Sequence, residues 1–331
     1  MDRINILKQI GNTPLIKLIQ ASEVTKCNIY GKAEYFNPGE SIKDRAALFI
    51  VEDAIKKNKI RKGGVVVEGT AGNTGIGLAI VTKAYGLSLK IVIPNTQSIE
   101  KKKILKDLGA ELIEVDAVPY SNPNNYVKLS KKIAEDLADS NPNGVLWANQ
   151  FDNTVNTESH IKTTSQEIWN QTAGQIDGFV CSVGTGGTLA GVSIGLKKKN
   201  KNIKIALSDP MGSSLYSYIK FNKLENSGSS ITEGIGTARI TKNFERALID
   251  DAFQVTDEEA LNIIFNLKEE QNLELGGSSG INICGAVKLA KHLGPGHNIV
   301  TILCDPGKRY ASKIYNKEFL KSKNLPIPNW L

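Results

Sequence analysis

The sequence predicts an α/β protein built on mostly parallel sheets. From Val65 to Val115, short runs of strand-forming residues alternate with helical segments about every 25 residues. Two strand-like runs, Val65–Val67 and Phe179–Val183, lead directly into glycine-rich loops that open helices. Repeated strand–helix–strand units have right-handed crossovers, which place their strands side by side and parallel.

The first half of the chain supplies most of this pattern. The β-branched run Val65–Val67 is typical of a strand that is buried on both faces. The helix before it has apolar residues at helical spacing, among them Ile42, Ala46 and Ile50. The predicted elements are, in order, a strand-like run at Ile10–Leu18, a strand at Cys27–Tyr35, a helix at Ile42–Lys57, a strand at Val65–Val67, a helix ending at Tyr85, a strand at Leu89–Ile93, a helix at Ser98–Leu108 and a strand at Ala110–Val115.

The second half continues the alternation with two interruptions. Tyr120–Asn125 is rich in Asn and Pro and predicts a loop or insertion, and Ser227–Arg239 is polar with no clear period. The predicted elements are helices at Tyr126–Ala138 and Glu158–Thr172, strands at Val145–Ala148, Phe179–Val183, Ile203–Leu207 and Ile299–Cys304, and helices ending at Lys199, at Asp257–Glu270 and at Ile281–His292.

Length and charge limit the classes of protein to consider. A chain of 331 residues can form two domains or one large α/β unit. The net charge of +7 comes from basic residues spread over amphipathic segments. The longest clusters, Lys101–Lys103 and Lys197–Lys199, are typical of solvated helix surface, so we do not expect nucleic-acid binding.

The four cysteines indicate a reducing compartment. They are far apart, form no CxxC pair, and three of them lie in apolar runs, as buried free thiols do; they are Cys27, Cys181, Cys284 and Cys304. No metal-ligand spacing is present, and no metal is expected. The N-terminus has no signal-peptide core and no apolar run reaches membrane-spanning length, so the predicted location is the cytosol, away from membranes.

The stretch NPGESIKDR, from Asn37 to Arg45, contains the first candidate for chemistry. Its Asn-Pro-Gly is turn-forming, and Ser41 predicts a helix N-cap with Asp44 as its capping-box partner. Lys43 then lies in the first turn, where the helix dipole disfavours a cation. A partly desolvated lysine there is easier to deprotonate, as an imine-forming amine must be. The alternative is an ordinary solvated lysine, one of 41 Lys and Arg residues.

A glycine-rich loop, GTGGT at Gly184–Thr188, is the second candidate. It offers consecutive backbone N–H groups and two hydroxyls at a helix N-terminus, which suits a phosphate. No GK[ST] follows it, and the spacing of its glycines is not that of a dinucleotide fingerprint. The alternative is a tight strand–helix turn without a ligand.

Two further polar loops precede helices. GTAGNTG, at Gly69–Gly75, offers Thr70, Asn73 and Thr74 to a small ligand. GGSSG, before the helix at Ile281, offers Ser278, which is either a ligand contact or an N-cap. An amine, a phosphate cradle and two polar loops are together the parts needed to hold pyridoxal phosphate.

These motifs occur in an order that resembles the cysteine synthase family of fold type II pyridoxal-phosphate enzymes. This family includes O-acetylserine sulfhydrylase and the catalytic core of cystathionine β-synthase. The resemblance covers essentially the full length through IGNTPL, NPG-x-S-x-KDR, GNTG, GTGGT, GIG and GGSSG. It implies two three-layer α/β/α domains with mostly parallel sheets, similar to tryptophan synthase β. Residues 1–46 with 158–331 would form the large cofactor-binding domain, and residues 47–157 the smaller domain that carries the asparagine loop.

The resemblance also implies how the cofactor is held. Lys43 would be the Schiff-base lysine, and Asn73 would hydrogen-bond the 3′ oxygen. Ser278 would meet the pyridine nitrogen, where a hydroxyl makes a milder electron sink than a carboxylate and favours loss of a β substituent over transamination. The phosphate would be bound by Gly184, Thr185, Gly186, Gly187 and Thr188.

The implied substrate contacts lie in the same loops. The substrate α-carboxylate would be bound by Thr70, Gly72, Thr74 and Gln150, with Gly236 also in contact, and Lys43 would take the α-proton. The implied reaction is β-replacement: O-acetyl-L-serine loses acetate, and sulfide adds to the aminoacrylate to give L-cysteine. A homodimer is expected, and serine acetyltransferase is a candidate partner.

The chain departs from the family pattern at several positions. Related synthases usually have a small residue in place of Glu40 and a serine in place of Ala71. A carboxylate at the mouth and a missing hydroxyl would favour release of the aminoacrylate over its capture by sulfide. Residues 237–239 lack the tyrosine typical of cystathionine β-synthases. The alternatives are therefore a cysteine desulfhydrase, which yields sulfide, pyruvate and ammonia, a cystathionine β-synthase-type condensation, or a binder that keeps the fold without catalysis.

Overall fold

The computed structural model describes residues 4–70 and 72–331. Ten strands run through these residues: β1 (Leu15–Lys17), β2 (Asn28–Ala33), β3 (Val65–Gly69), β4 (Ser88–Pro94), β5 (Glu111–Val115), β6 (Val145–Trp147), β7 (Gly178–Cys181), β8 (Lys204–Pro210), β9 (Asp251–Val255) and β10 (Asn298–Leu303).

Helices cover the faces of the sheets and fill most of the connections between strands. They are α1 (Ile19–Thr25), α2 (Lys43–Lys56), α3 (Asn73–Tyr85), α4 (Ile99–Asp107), α5 (Tyr126–Ala138), α6 (Val155–Lys162), α7 (Thr164–Gln171), α8 (Gly187–Lys199), α9 (Leu215–Phe221), α10 (Asp257–Gln271), α11 (Gly277–Leu293) and α12 (Lys317–Ser322).

The strands form two sheets, and nearly all of their neighbours are parallel. A six-stranded sheet has the order β1-β2-β10-β7-β8-β9, in which only the β1–β2 pair is antiparallel. A four-stranded sheet has the order β5-β4-β3-β6 and is wholly parallel. The predicted α/β class with mostly parallel sheets is therefore confirmed.

Each sheet has its own apolar core. In β7, Val180 packs against α10 and α11, whereas Phe179 and Cys181 face the side of α8, as the period of two in a strand requires. The six-stranded sheet thus lies between two layers of helices. A separate core, which includes Ile50, Ile76 and Ile91, surrounds the four-stranded sheet. All strands of the smaller sheet come from residues 65–147, and the predicted domain boundaries at 46 and 158 stay predictions.

Three predicted local features are wrong. The helix predicted at Glu158–Thr172 is two helices that are divided at Thr163, whose φ of −119° and ψ of −74° depart from regular helical values. Ser41 is not at the N-cap position: α2 begins at Lys43 with Ile42 as its N-cap residue, and Ser41 Oγ accepts a hydrogen bond from Lys43 N at 3.3 Å. GGSSG is not a loop before a helix, because α11 begins at Gly277 and Ser278 lies within its first turn.

The elements that the sequence did not reveal are α1, α9, β9 and α12. Within the described residues, no helix combines the length and the apolar character needed to cross a membrane.

Candidate active site

The carboxyl ends of strands from both sheets open onto one cavity of about 710 Å³. Parallel α/β sheets bind ligands at this edge. A small cavity of about 20 Å³ adjoins it and shares Lys43, Gly184 and Thr185 with it. The predicted site residues in the larger cavity are Lys43, Thr70, Gly72, Asn73, Thr74, Gln150, Gly184, Thr185, Gly236 and Ser278, and the smaller cavity adds Gly186 and Thr188. Of the predicted site residues, Gly187 alone lines neither cavity.

A buried ionic cluster fixes the helix that carries Lys43. Arg45, which is 1% exposed, pairs with Glu34 at 2.8 Å and with Glu167 at 2.6 Å, and Lys32 also pairs with Glu167 at 2.7 Å. Burial alone would raise the pKa of Glu167, but its contacts with Arg45 and Lys32 lower it to about 2. The charges are therefore paired, and the first turn of α2 is tied to the end of β2 and to α7.

Lys43 itself has its ammonium group available to a ligand. It lines both cavities, and no side chain among residues 4–70 and 72–331 pairs with its Nζ. Asp44, the predicted capping partner, instead accepts a hydrogen bond from Gly39 N at 2.5 Å. This bond closes the Asn-Pro-Gly turn immediately before the helix.

The loop Gly184–Thr188 has the geometry of an anion cradle. Gly186 has a φ of +88°, and the next residue begins α8, so the N-terminus of that helix opens at the smaller cavity. A Cβ on Gly187 would lie 2.2 Å from Asn156 Oδ1. The same asparagine donates to Thr185 Oγ1 at 3.0 Å. Backbone N–H groups and hydroxyls at a helix N-terminus suit a phosphate, so these residues fit the phosphate of the cofactor.

Buried polar groups also connect the loop after β3. Thr74 Oγ1 donates to Gln150 Oε1 at 2.5 Å, and Gln150 Nε2 donates to Gly69 O at 3.3 Å. Thr70 Oγ1 accepts from Gly72 N at 3.2 Å. The hydroxyls and the amide predicted to meet the substrate therefore lie in one connected patch. Ala71, whose missing hydroxyl was expected to matter, lies outside the described residues.

Below this patch, burial raises the pKa of Glu68 to about 8. Its carboxyl group is therefore mostly protonated at neutral pH and adds little negative charge near the cavity.

Asn73 makes two hydrogen bonds that the sequence analysis did not foresee. Its Nδ2 donates to Asp305 Oδ2 at 2.6 Å, and its Oδ1 accepts from Arg309 Nη1 at 2.8 Å. Asp305 Oδ2 also accepts from Tyr310 OH at 2.7 Å. The segment CDPGKRY after β10 therefore reaches the asparagine loop, and no local pattern in that segment indicates the contact.

Ser278 lies on the first turn of α11 and lines the larger cavity beside Cys304. Burial raises the pKa of the Cys304 thiol to about 11, so it is neutral at physiological pH. Neither group therefore brings a charge to this side of the cavity. All four cysteines are free thiols, as predicted.

The remaining wall of the cavity contains charged side chains that sequence reasoning missed. Lys101, 2% exposed, pairs with Glu233 at 2.8 Å and lies 4.4 Å from the centre of the Tyr310 ring. Arg239 lies 4.1 Å from the ring centre of Tyr120. These contacts connect segments that carry the smaller sheet with segments that carry the larger one.

Glu40 does not lie at the mouth as expected. It lines neither cavity and pairs with Lys308 at 2.5 Å. Its φ of +52° turns the chain at the Asn-Pro-Gly turn, which directs the side chain toward Lys308. Among the described residues, no group of three His, Cys, Asp or Glu side chains could hold a metal ion.

Comparisons with known proteins identify the family of this chain. The model of the family described as pyridoxal-phosphate dependent enzyme matches residues 6–305. Cysteine synthase 1 of Neurospora crassa is 48% identical over 321 residues, which are 96% of this chain and 84% of that protein.

Solved structures give the same result. An O-acetylserine dependent cystathionine β-synthase from Helicobacter pylori superposes with a TM-score of 0.83 at 32% identity, over 94% of this chain and 98% of that one. A hydrogen sulfide-producing enzyme from Fusobacterium nucleatum superposes with a TM-score of 0.81 at 32% identity, over 92% and 98%. The resemblance read from the motifs is confirmed: the chain belongs to the pyridoxal-phosphate dependent enzyme family, in the group of cysteine synthases and cystathionine β-synthases.

Proposed function

We propose that this protein is a pyridoxal-phosphate dependent cysteine synthase that converts O-acetyl-L-serine and sulfide into L-cysteine and acetate. The observation that carries the proposal is the meeting of Lys43, the glycine cradle and the polar asparagine loop around two adjoining cavities. The name and the 48% identity of the Neurospora relative support the choice of reaction within the family.

The cofactor would be held from three sides. Lys43 Nζ would bind its carbonyl carbon, Asn73 would face the 3′ oxygen, and Ser278 would face the ring nitrogen. The phosphate would be held by Gly184, Thr185, Gly186, Gly187 and Thr188. When bound, pyridoxal phosphate supplies the electron sink that lets the substituent on the substrate β-carbon leave. Ser278 and Cys304 would bring no negative charge to the ring nitrogen, which would favour a mild electron sink.

The remaining steps belong to side chains of the chain itself. Thr70, Gly72, Thr74 and Gln150 would hold the substrate carboxylate with neutral hydrogen-bond donors, and Gly236 would contact the substrate from the opposite wall. Lys43 Nζ would take the α-proton, a role that suits an amine with no paired carboxylate.

Two other reactions have specific support. The Fusobacterium structure is titled a hydrogen sulfide-producing enzyme, which favours desulfhydration of cysteine as the second candidate. The Helicobacter structure is titled an O-acetylserine dependent cystathionine β-synthase, which brings in homocysteine as a nucleophile. The absence of tyrosine from residues 237–239 disfavours the latter.

One experiment separates these reactions. The holoenzyme is given cysteine alone, O-acetylserine with sulfide, and O-acetylserine with homocysteine, and kcat/KM is measured for each. We expect the sulfide reaction to have the largest value. A larger value for sulfide release from cysteine would make the protein a desulfhydrase, and turnover of none of the three would leave a binder without catalysis.

The wider setting of the enzyme follows from the same proposal. We propose a homodimer in the cytosol, with serine acetyltransferase as a candidate partner that could occupy the cavity mouth. Light scattering of the purified protein measures the oligomeric state, and a monomer at micromolar concentration would contradict the proposed homodimer. Competition between O-acetylserine and serine acetyltransferase for the enzyme tests whether the acetyltransferase binds at the cavity mouth.

A further inference from the structure

The side chain of Asn73 is held from both ends by residues more than 230 positions away in the chain. Arg309 donates to its carbonyl oxygen at 2.8 Å, and Asp305 accepts from its amide nitrogen at 2.6 Å. Asn73 begins α3 beside the four-stranded sheet, whereas Asp305 and Arg309 follow β10 of the six-stranded sheet. The amide group is thus fixed across the cavity rather than within its own loop.

These two partners admit only one orientation of the amide. A guanidinium group can only donate hydrogen bonds. The Asp305 oxygen already accepts from the Tyr310 hydroxyl at 2.7 Å, so it acts as an acceptor. Rotating the amide by half a turn would place donor against donor and acceptor against acceptor. The arrangement therefore specifies which end of Asn73 is NH₂.

The fixed orientation leaves one N–H group of Asn73 for the cavity. An amide nitrogen has two hydrogens, and Asp305 takes one of them. Asn73 lines the larger cavity, and the described residues offer its second hydrogen no other acceptor. An acceptor-only group such as an ionised phenolic oxygen is the ligand that this hydrogen suits.

Burial makes the arrangement rigid. Asp305 is 0% exposed and Arg309 is 1% exposed. Arg309 Nη2 also donates to Gly39 O at 2.5 Å, in the turn that precedes Lys43. One guanidinium group therefore ties the orientation of Asn73 to the position of the lysine turn.

We propose that Arg309 and Asp305 are positioning residues that hold the Asn73 amide with its NH₂ toward the 3′ oxygen of the cofactor. The inference rests on the proposed function in one respect, namely that Asn73 faces the cofactor. It adds that the cofactor contact is set by a segment at the other end of the chain, which closes on the asparagine loop.

The test is a double-mutant cycle read by cofactor binding rather than by turnover. Wild type, N73A, R309M and N73A/R309M are stripped of pyridoxal phosphate and titrated with it, and Kd is followed by the visible absorbance of the bound cofactor. We expect N73A and R309M each to raise Kd about tenfold, and the double variant to raise it well below the roughly hundredfold that independent effects would give, because Arg309 acts in part through Asn73 and in part through its bond to Gly39 O. K308M, at the neighbouring exposed position, is the matched control and is expected to leave Kd unchanged.

Each outcome decides a separate point. If N73A binds the cofactor like the wild type, Asn73 does not face the cofactor, and that part of the proposed function is wrong. If N73A weakens binding but the effects of N73A and R309M simply multiply, the positioning role of Arg309 is wrong and the role of Asn73 survives. If R309M does not fold, R309K replaces it: a lysine keeps a donor for Asn73 Oδ1, and recovery of both Kd and the absorbance maximum is expected.

Discussion

The two walls of the cavity are built by different means. The phosphate wall (Gly184–Thr188) consists of backbone and hydroxyl groups, and its side-chain partners Asn156, His160 and Thr241 are 28 to 56 positions away in the chain. The asparagine wall (residues 69–74) depends on side chains, and the partners of Asn73 are 232 and 236 positions away. The first wall therefore depends mainly on its own glycines and on the space beside them, whereas the second depends on how the two sheets meet.

Lys43 lies between the walls, and its replacement has the largest expected effect. In K43A no amine remains to bind the cofactor carbonyl carbon or to take the α-proton, so both the visible absorbance of the cofactor and the turnover should be lost. K57A, just beyond the end of the same helix and solvent-exposed, is the control and should behave as wild type. Normal absorbance in K43A would show that Lys43 does not bind the cofactor, and the reactive group between the two walls would then be another residue.

Filling space breaks the phosphate wall. In G187V the new Cβ would lie 2.2 Å from Asn156 Oδ1, so Asn156 or the loop must move. Overpacking of this kind costs about 1–3 kcal/mol, which corresponds to a rise of roughly 5- to 150-fold in the Kd for pyridoxal phosphate. K198V places the same residue on the outer part of α8 and should leave Kd unchanged. An unchanged Kd in G187V would place the phosphate elsewhere.

The same difference explains what could be predicted from sequence. The β-branched runs and the glycines before α3 and α8 are local signals, and they located strands of both sheets and the two glycine-rich loops that line the cavity. Asp305, Arg309, Lys101 and Glu233 have no such signal, since their contacts exist only after the segments carrying the two sheets pack together. β9 and α9 were missed because the stretch around them has no clear period. The position of the Glu40 carboxylate was predicted wrongly because the backbone at Glu40 has a φ of +52°, a conformation that a glutamate in the sequence does not indicate.

Glu233 offers a way to loosen the connection between the walls. It pairs with Lys101 at 2.8 Å and with Lys313, and its side chain is 7% exposed. E233Q leaves Lys101 buried without a carboxylate, which should lower the free energy of unfolding by about 3 kcal/mol in urea titrations. E114Q removes an exposed glutamate that also faces two lysines, and should cost less than about 1 kcal/mol. Equal costs in the two variants would show that the buried pair does not hold the walls together.

The pH dependence of that pair has a definite sign. Burial would raise the pKa of Glu233, but Lys101 and Lys313 lower it below its usual 4.5. A lowered pKa contributes stability that is present above 4.5 and is lost as the pH falls through the folded-state value. The difference in stability between wild type and E233Q should therefore shrink in acid below pH 4.5.

His160 is a neutral, buried side chain that contacts the phosphate wall, so its effect on stability depends on pH. Its ring contacts Thr164 at 2.9 Å and Thr188 at 3.3 Å, and burial lowers its pKa from 6.5 to about 3. Below pH 6.5 the histidine is therefore protonated in the unfolded chain but stays neutral in the folded chain. The free energy of unfolding consequently decreases as the pH falls. The loss at pH 5 is about 2 kcal/mol.

Buried acids such as Asp44 and Asp209 have raised pKa values and act in the opposite direction, so the difference between wild type and H160Q is the quantity to measure. Between pH 7 and pH 5, H160Q should gain about 2 kcal/mol relative to wild type in urea unfolding. H292Q, at an exposed position, controls for the loss of a histidine side chain. A constant difference between H160Q and wild type would mean that His160 accepts a proton in the folded state.

The smallest effect is expected at Glu40, outside both walls. Glycine at this position relieves a φ of +52° but gives up the ion pair with Lys308, which is 63% exposed, and adds chain entropy to the unfolded state. These contributions oppose each other, so E40G should change the free energy of unfolding by less than about 1 kcal/mol. E40A removes the same charge but keeps the strained backbone, and should be the less stable of the two. Because Glu40 lines neither cavity, the ratio of sulfide released from cysteine to cysteine made from O-acetylserine should change less than about twofold in both variants. A change of fivefold or more in E40G would show that the Glu40 carboxylate acts at the cavity mouth and that the turn before Lys43 belongs to the site.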